Sequence, residues 1–261
     1  MIRGLYSAAS GMLVAQSQVD ATANNLANVD TSGFKRAVLQ VESAPTLDLY
    51  RFQTEPGSVP GNGAPGARTS AHVGTLGLGA QVYDTPTSFE QGALQKTGDA
   101  LDLALVGPGF FRVATPAGVR YTRDGGFVRS AQGELVTHAG QPVLSTTGAP
   151  IVLAQGPFSV DNDGTVRQNG AAVAQLSIAR FSNLRNLRPQ GDSLFVDEGA
   201  GAAQDATSSV QQGYLEKSTV NVVRSMVDLI SAQRFFDANS KAVTLEDQAL
   251  GLAVQSVGSV H

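Results

Sequence analysis

Both ends of the chain carry an apolar residue at every seventh position, and this repeat constrains the fold more than any other feature. The positions are Leu5, Met12, Val19 and Leu26 near the start, and Val222, Leu229, Phe236, Val243, Leu250 and Val257 near the end. A strict seven-residue repeat drifts only slowly around a helix, so each stripe needs a partner helix along its length. The sequence therefore predicts two long terminal helices that pair as a coiled coil, with these residues at an assembly interface.

The limits of the two helices can be read from the residues around them. The first runs from Ile2 to about Asn28, where a cluster of turn formers begins. The second runs from near Thr219 to Val257, and Gly258 is placed to end it. The second seam position of the first helix holds Ile2, Ala9, Gln16 and Ala23. Such long apolar stripes favour pairing with other subunits over a simple intramolecular hairpin.

The middle of the chain has a different periodicity. Leu101, Leu103 and Leu105 alternate with other residues, which is typical of a strand. Asp124-Gly125, Asp163-Gly164 and Asn169-Gly170 then favour the positive-φ turns that join antiparallel strands. The pattern predicts an all-β module of short hairpins.

The predicted fold class is α+β, with the terminal helices flanking the β module. Glycine and proline are dense between residues 54 and 80, which indicates a linker there. The expected domains are the N-terminal helix and turn (1–36), an extended linker (37–86), the central β module (87–197), a second linker (198–213) and the C-terminal helix (214–261).

Composition limits the possible functions. The net charge is −4 and the pI is near 5.3, so no nucleic-acid partner is expected. No apolar run approaches the length of a membrane span, so no direct membrane insertion is expected. The first thirty residues contain no continuous apolar run, so if the protein leaves the cytoplasm we expect a route that reads no cleavable signal peptide. Low charge with 29 glycines suits a subunit buried against its own copies, although a turn-rich β domain explains the glycines equally well.

Three short motifs resemble chemical sites but lack the remaining residues. The stretch Gly191–Leu194 spells a hydrolase nucleophile motif around Ser193, yet none of the three histidines has an aspartate three residues before it. Residues 161–164 resemble a calcium loop without its later ligands, and the glycines at 74, 77 and 79 lack phosphate-loop spacing. Residues 191–194 and residues 161–164 are better read as β-turns. The sequence predicts no enzyme activity, no cofactor and no metal.

The motifs at both ends and in the middle resemble those of bacterial flagellar rod and hook proteins. At the start these are residues 5–12, 24–29 and 31–36; in the middle 91–94, 97–98, 101–104, 121–125 and 133–137; and near the end 213–216, 220–222, 232–236 and 238–241. They occur in the order expected for the flagellar rod/hook axial protein family. Within that family the resemblance is to a basal-body rod protein, of distal or proximal type. The chain length and the opening Met1-Ile2-Arg3 favour the distal type.

The resemblance implies a structural subunit of the basal body, exported by the flagellar type III apparatus and polymerised into a hollow rod. Its implied partners are copies of itself, neighbouring rod and hook subunits and the surrounding basal-body rings, in the periplasm or cell envelope. In such proteins the terminal segments are largely disordered in the monomer and form paired helices on assembly.

Other functions remain open at the level of sequence. A hook or junction subunit is the nearest alternative, but hook proteins usually have a larger middle region. A hydrolase that uses Ser193 and a β-module binding protein with incidental helical ends are the others. Reaction with a serine-directed probe separates the first of these, and truncation of both ends separates the second.

Overall fold

The chain has one long helix at each end and strands between them. The computed structural model describes residues 2–52, 70–204 and 207–258. Helix α1 spans Ile2–Ala27 and α2 spans Val222–Gly258. The chain divides into two compact units. The first unit comprises Met1–Asp20, Leu39–Asp84 and Leu229–His261, and the second comprises Ala21–Val38 and Thr85–Asp228.

In the first unit, residues expected to form a linker form an antiparallel ribbon that consists of two consecutive strand pairs. Its strands are β1 (Gln40–Ser43), β2 (Thr46–Phe52), β3 (Ser70–Gly77) and β4 (Ala80–Asp84). Strand β1 pairs with β4 and β2 pairs with β3, and the Ala44 N–H donates to the Gly79 carbonyl where the two pairs meet. The described part of the predicted linker is therefore mostly strand. Most of the glycine- and proline-rich tract, residues 54–69, lies outside the described residues.

The helices touch within the first unit through small residues of α1. Gly4 lies against the Glu246 carboxylate, and an added Cβ on Gly11 would be 3.0 Å from the Asn239 side chain. Residue numbers rise along α1 as they fall along α2, so the contact is antiparallel. The most buried residues of α1 are Ala8, Gly11, Val14, Ala15 and Thr22, whereas Ala9, Gln16 and Ala23 of the expected second seam are exposed. The structure does not confirm the predicted heptad coiled coil.

The second unit contains the predicted β module. Its strands are β5 (Leu94–Lys96), β6 (Leu103–Val106), β7 (Phe110–Thr115), β8 (Gly118–Thr122), β9 (Phe127–Arg129), β10 (Leu135–Thr137), β11 (Phe158–Val160), β12 (Thr165–Gln168), β13 (Ala171–Gln175), β14 (Ile178–Phe181), β15 (Leu187–Gly191), β16 (Leu194–Asp197), β17 (Ala202–Gln204), β18 (Ser209–Gln212) and β19 (Tyr214–Glu216). A short 3-10 helix covers Leu184–Asn186. The main sheet has six antiparallel strands in the order β15-β16-β8-β7-β14-β17.

This sheet carries a hydrophobic core on each face. Side chains alternate between the faces of a strand, so Phe110 and Phe111 of β7 enter different clusters. Phe111 packs in the larger cluster with Val113, Ile178 and Leu194, and Phe110 packs with Tyr121, Ala179, Phe181 and Phe195. Val210 of β18 also belongs to the larger cluster and has no exposed surface. The module is thus built from strands that extend past residue 197.

The C-terminal helix begins at Val222, close to the expected Thr219, whereas the expected domain of this helix started at residue 214. Residues 214–216 form β19, which pairs with β5, so they are strand and not helix. The Asn221 side chain then accepts a hydrogen bond from the Arg224 N–H at 3.0 Å, which is the geometry of a helix N-cap. This cap explains why α2 starts at Val222.

Candidate functional site

Three ionisable side chains meet in the interior of the second unit. The Lys35 Nζ lies 2.6 Å from Oε1 of Glu216, and Nη1 of Arg123 lies 3.3 Å from Oε2 of the same carboxylate. The side chains of Lys35 and Glu216 are fully buried and that of Arg123 is 2% exposed. We call Lys35, Arg123 and Glu216 the charge cluster.

Each member comes from a different part of the chain. Lys35 follows the turn after α1, where the Asn25 side chain bonds both the N–H and the carbonyl of Ala37, at 2.9 and 2.8 Å. Arg123 follows β8, and Glu216 ends β19. The cluster therefore joins the exit of α1, the β module and the approach to α2.

Neighbouring main-chain groups add further hydrogen bonds to the cluster. Lys35 Nζ donates to the Glu90 carbonyl at 2.6 Å, and the Gly92 N–H donates to Oε1 of Glu216 at 2.7 Å. The Arg123 guanidinium donates to the Gly107 carbonyl and lies 4.9 Å from the centre of the Phe110 ring. Burial lowers the pKa of Lys35, because desolvation outweighs the opposing attraction of Glu216.

Glycines allow the backbones to approach closely around the cluster. Gly33 has a φ of 65°, and a Cβ there would overlap the main chain of Arg123 and Asp124. A Cβ on Gly92 would overlap the Lys217 carbonyl, and one on Gly125 would overlap the Leu103 carbonyl. The segments around the cluster thus pack backbone against backbone, which only glycine permits.

The charge cluster holds the structure in place. A buried carboxylate that is satisfied by two cations and a backbone N–H is held in one geometry, and removal of one partner leaves an uncompensated buried charge. Sequence reasoning did not single out Lys35, Arg123 or Glu216 as site residues. The only signal was that each lies in a motif that carried the family resemblance.

Four of the predicted assembly residues of α2 lie on a less exposed side of the helix. Leu229, Phe236, Val243 and Leu250 are half-buried, on the same side as Asn239 and Glu246, which contact α1. Val222 is 36% exposed, and the side chain of Val257 lies outside the described residues. In α1, Leu5, Met12, Val19 and Leu26 are also half-buried.

A second row of apolar residues on α2 is exposed. It consists of Val223, Val227, Ile230, Leu245 and Leu252, which are 50–74% exposed. At 3.6 residues per turn these five positions stay within about 60° of one another and lie roughly 160° from the half-buried stripe. We call them the exposed row. Helix α1 has two similar residues, Tyr6 and Leu13, on the side opposite its buried small residues.

Residues 191–194 and 161–164, two of the motifs that resembled chemical sites, form turns. Asp192 and Ser193 have φ values of 50° and 55° and join β15 to β16, which is the geometry of a tight hairpin. The Gly164 N–H donates to the Asp161 carbonyl at 2.9 Å between β11 and β12. Within residues 2–52, 70–204 and 207–258, no group of three or more acidic or histidine side chains is arranged to hold a metal. None of the described helices combines the length and apolarity of a membrane span.

The chain has two terminal helices with exposed apolar residues and a β-rich middle. A buried charge cluster lies where the terminal segments join this middle. These are features of a structural protein. Comparison with known families identifies which one. Residues 5–35 match the family described as flagella basal body rod protein, residues 104–168 match the D1 domain of the flagellar hook protein FlgE/F/G family, and residues 211–256 match the C-terminal domain of the flagellar basal body rod FlgEFG proteins.

Whole-length relatives agree with these matches. The chain is 35% identical to the flagellar basal-body rod protein FlgG of Borreliella burgdorferi, over 97% of this chain and 98% of that protein. It is 34% identical to FlgG of Agrobacterium fabrum, over 98% and 100%, and 33% identical to the rod protein FlgF of Caulobacter vibrioides, over the full length of both.

The chain belongs to the flagellar basal-body rod protein family and is a structural subunit of the rod, part of the flagellar basal body. The rod interpretation of the sequence is confirmed, and the hook alternative has less support because these relatives are named as rod proteins. The charge cluster takes one residue from each of the three matched segments.

Proposed function

We propose that this subunit polymerises through the apolar faces of its terminal helices into the hollow axial shaft that links the motor to the hook. The observation that carries the proposal is that α2 has apolar residues on two opposite sides. One side is half-buried within the chain, and the exposed row on the other side includes Val223 at 74% and Leu252 at 68% exposure. A helix with apolar residues on opposite sides needs a partner for each of them.

The energetics of the exposed row favour association. Burial of one such side chain contributes about 1.5–3 kcal/mol, so a row of five is a substantial driving force. When the contact joins unlike surfaces of identical subunits, each copy can bind the next one. If the rotation between copies does not close into a ring, the repeated contact builds a helical polymer. A rod requires this kind of contact.

The half-buried stripes contribute in a different way. We propose that Leu5, Met12, Val19 and Leu26 of α1 and Leu229, Phe236, Val243 and Leu250 of α2 complete their burial in the polymer. The ends of the stripe, Val222 and Val257, belong to the same proposed interface.

We further propose partners and a route for the subunit. Neighbouring rod and hook subunits contact its helices, the basal-body rings surround the rod, and the flagellar type III apparatus exports the chain to the cell envelope without cleavage of a signal peptide. These proposals rest on the family and on the motifs that carry it, and the distal type remains favoured by the opening residues. The mass of the chain recovered from basal bodies tests the route, because a chain shortened at its start contradicts it.

A single substitution in the exposed row tests the assembly proposal. Leu245 is 64% exposed, so Leu245→Asp leaves the fold of the monomer intact, with a change in unfolding free energy of about 0.5 kcal/mol. In the polymer it would place an unpaired charge at a buried contact, which costs several kcal/mol at each interface. We expect the concentration needed for polymerisation to rise about a hundredfold, and motility to be lost.

Ala242→Asp is the matched control, because Ala242 is exposed on the same helix but outside both the row and the stripe. It introduces the same charge and a loss of helix propensity that is at least as large, because alanine is the stronger helix former. Polymerisation and motility should persist in this variant. Equal behaviour of the two variants would show that the exposed row is not an assembly surface.

A further inference from the structure

We propose that the charge cluster is a clasp in which Glu216 acts as a positioning residue, coupling the folding of residues 33–36 to that of residues 216–219. These segments follow α1 and precede α2. Through the clasp, the inner ends of both terminal segments stay folded on the β module whether or not the helices have assembled. The inference goes beyond polymerisation and concerns the isolated subunit.

The main chains of the two segments are bonded to each other directly. The Gly33 N–H donates to the Glu216 carbonyl at 2.7 Å, and the Thr219 N–H donates to the Phe34 carbonyl at 3.1 Å. The Arg36 N–H donates to the Thr219 hydroxyl at 3.0 Å. Loss of either segment therefore leaves polar groups of the other without these partners.

The second segment is in turn bonded to the β module. Strand β19 pairs with β5 across Glu216 and Leu94, and the Lys217 N–H donates to the Ala93 carbonyl at 2.9 Å. Residues 216–219 thus lie between residues 33–36 on one side and residues 92–96 on the other. Residues 33–36 also bond the β module directly, since the Ser88 N–H donates to the Arg36 carbonyl at 2.9 Å, so their docked position depends on both residues 216–219 and the β module.

The buried charges make the folding of residues 33–36 and the folding of residues 216–219 depend on each other. An ammonium group without a countercharge is not stable in an interior site, and the side chain of Lys35 has no exposed surface. Its carboxylate partner is Glu216, which also receives Arg123. Lys35 therefore enters the interior only with Glu216, and Glu216 without Lys35 loses the shorter of its two ion pairs.

The close approach of the backbones keeps this arrangement specific. Gly33 and Gly92 contact the main chain at Arg123 and at Lys217, where no side chain would fit. The two segments consequently have one docked position and not a family of loose ones. A rod subunit built this way presents the bases of both helices in a fixed arrangement before any neighbour arrives.

Amide hydrogen exchange of the monomer, followed residue by residue, tests the clasp. In Glu216→Gln the exchange rates of the Gly33, Gly92, Lys217 and Thr219 amides should all rise by about a hundredfold or more, the change that loss of a buried ion pair produces in an opening equilibrium. The ladder amides of β7 and β8 should keep their protection. Asp161→Asn removes the exposed ion pair with Arg167 and is the matched control, which should leave all these amides unchanged.

Lys35→Met gives an independent test if the first variant folds poorly. It changes only the first segment, yet coupling requires faster exchange at Lys217 and Thr219 as well as at Gly33. A rise confined to Gly33 would overturn the coupling. An equal rise in β7 and β8 would show a role in general stability alone. Since the experiment uses monomers, failure of the proposed assembly through the exposed row would leave its result unaffected.

Discussion

Gly33 shows how strongly one residue can depend on a distant part of the chain. Its φ of 65° is left-handed, and a Cβ would overlap the main chain of Arg123 and Asp124. The obstacle is backbone, so it cannot move aside as a flexible side chain would. Position 33 therefore requires glycine for two separate reasons. The backbone there is left-handed, and the loop after β8 leaves no space for a side chain.

Gly33→Ala should accordingly lower the free energy of unfolding by about 3 kcal/mol or more, combining the left-handed conformation with a steric clash. Urea denaturation of the monomer measures the loss. Gly140→Ala is the control, because Gly140 has a φ of 81° but nothing within 4 Å of an added Cβ. That variant should lose only about 1–2 kcal/mol. Equal losses would contradict the close packing inferred around Gly33.

The charge cluster could not have been found by sequence patterning. Lys35 and Glu216 are 181 residues apart, and neither lies in a periodic pattern that marks it as buried. A lysine or glutamate is normally assigned to the surface, since these residues are rarely buried unless paired. Pairing is a property of the tertiary structure, so only the three-dimensional arrangement reveals it.

Among the elements, hairpins were the most predictable because their signals are local. Asn169 and Gly170, with φ values of 53° and 80°, join β12 to β13 as their residue types indicate. The turn at residues 191–194 was also identified, although Asp192 and Ser193 are less suited to positive φ than glycine. Neighbouring residues determine such turns, so the sequence is sufficient to locate them.

Ser193→Gly should stabilise the protein by about 1 kcal/mol, since it relieves a left-handed serine in the β15–β16 turn. The same change at Ser159, an exposed position in β11, should instead destabilise by about 0.5–1 kcal/mol, because glycine weakens a strand. Thermal denaturation compares the two. A stabilised Ser193→Gly variant that still assembles would also exclude an essential nucleophile at this position, and a loss of stability would contradict the turn assignment.

The helices and the ribbon were harder to predict, for different reasons. The heptad repeat located the less exposed side of α2 between residues 229 and 250, because an apolar residue recurs there at every seventh position. On α1 the closest contacts use Gly4 and Gly11, and a pattern of large residues cannot detect small ones. Strands β1–β4 lie partly in a glycine-rich stretch, where local composition favours a loop and only cross-strand pairing defines the ribbon.

At the scale of the whole molecule, the division into two units differs from the domains expected from sequence. The second unit includes residues 21–38 and extends to residue 228, so it contains both core clusters and the entire charge cluster. The expected β module, residues 87–197, omits β18 with its fully buried Val210, and it also omits Lys35 and Glu216. A boundary placed at the end of the alternating pattern thus removes a core strand.

Two truncated chains distinguish these boundaries. Residues 21–228 retain both cores and the charge cluster, so this chain should show one cooperative urea transition with a midpoint close to that of the full monomer. Residues 87–197 lose β18 from its pairing with β6, and should show no cooperative transition. The longer chain should not polymerise, because it lacks most of α2, including Leu245 and Leu252. A cooperative transition for residues 87–197 at the same midpoint would show that the β module folds without the clasp and its flanking segments.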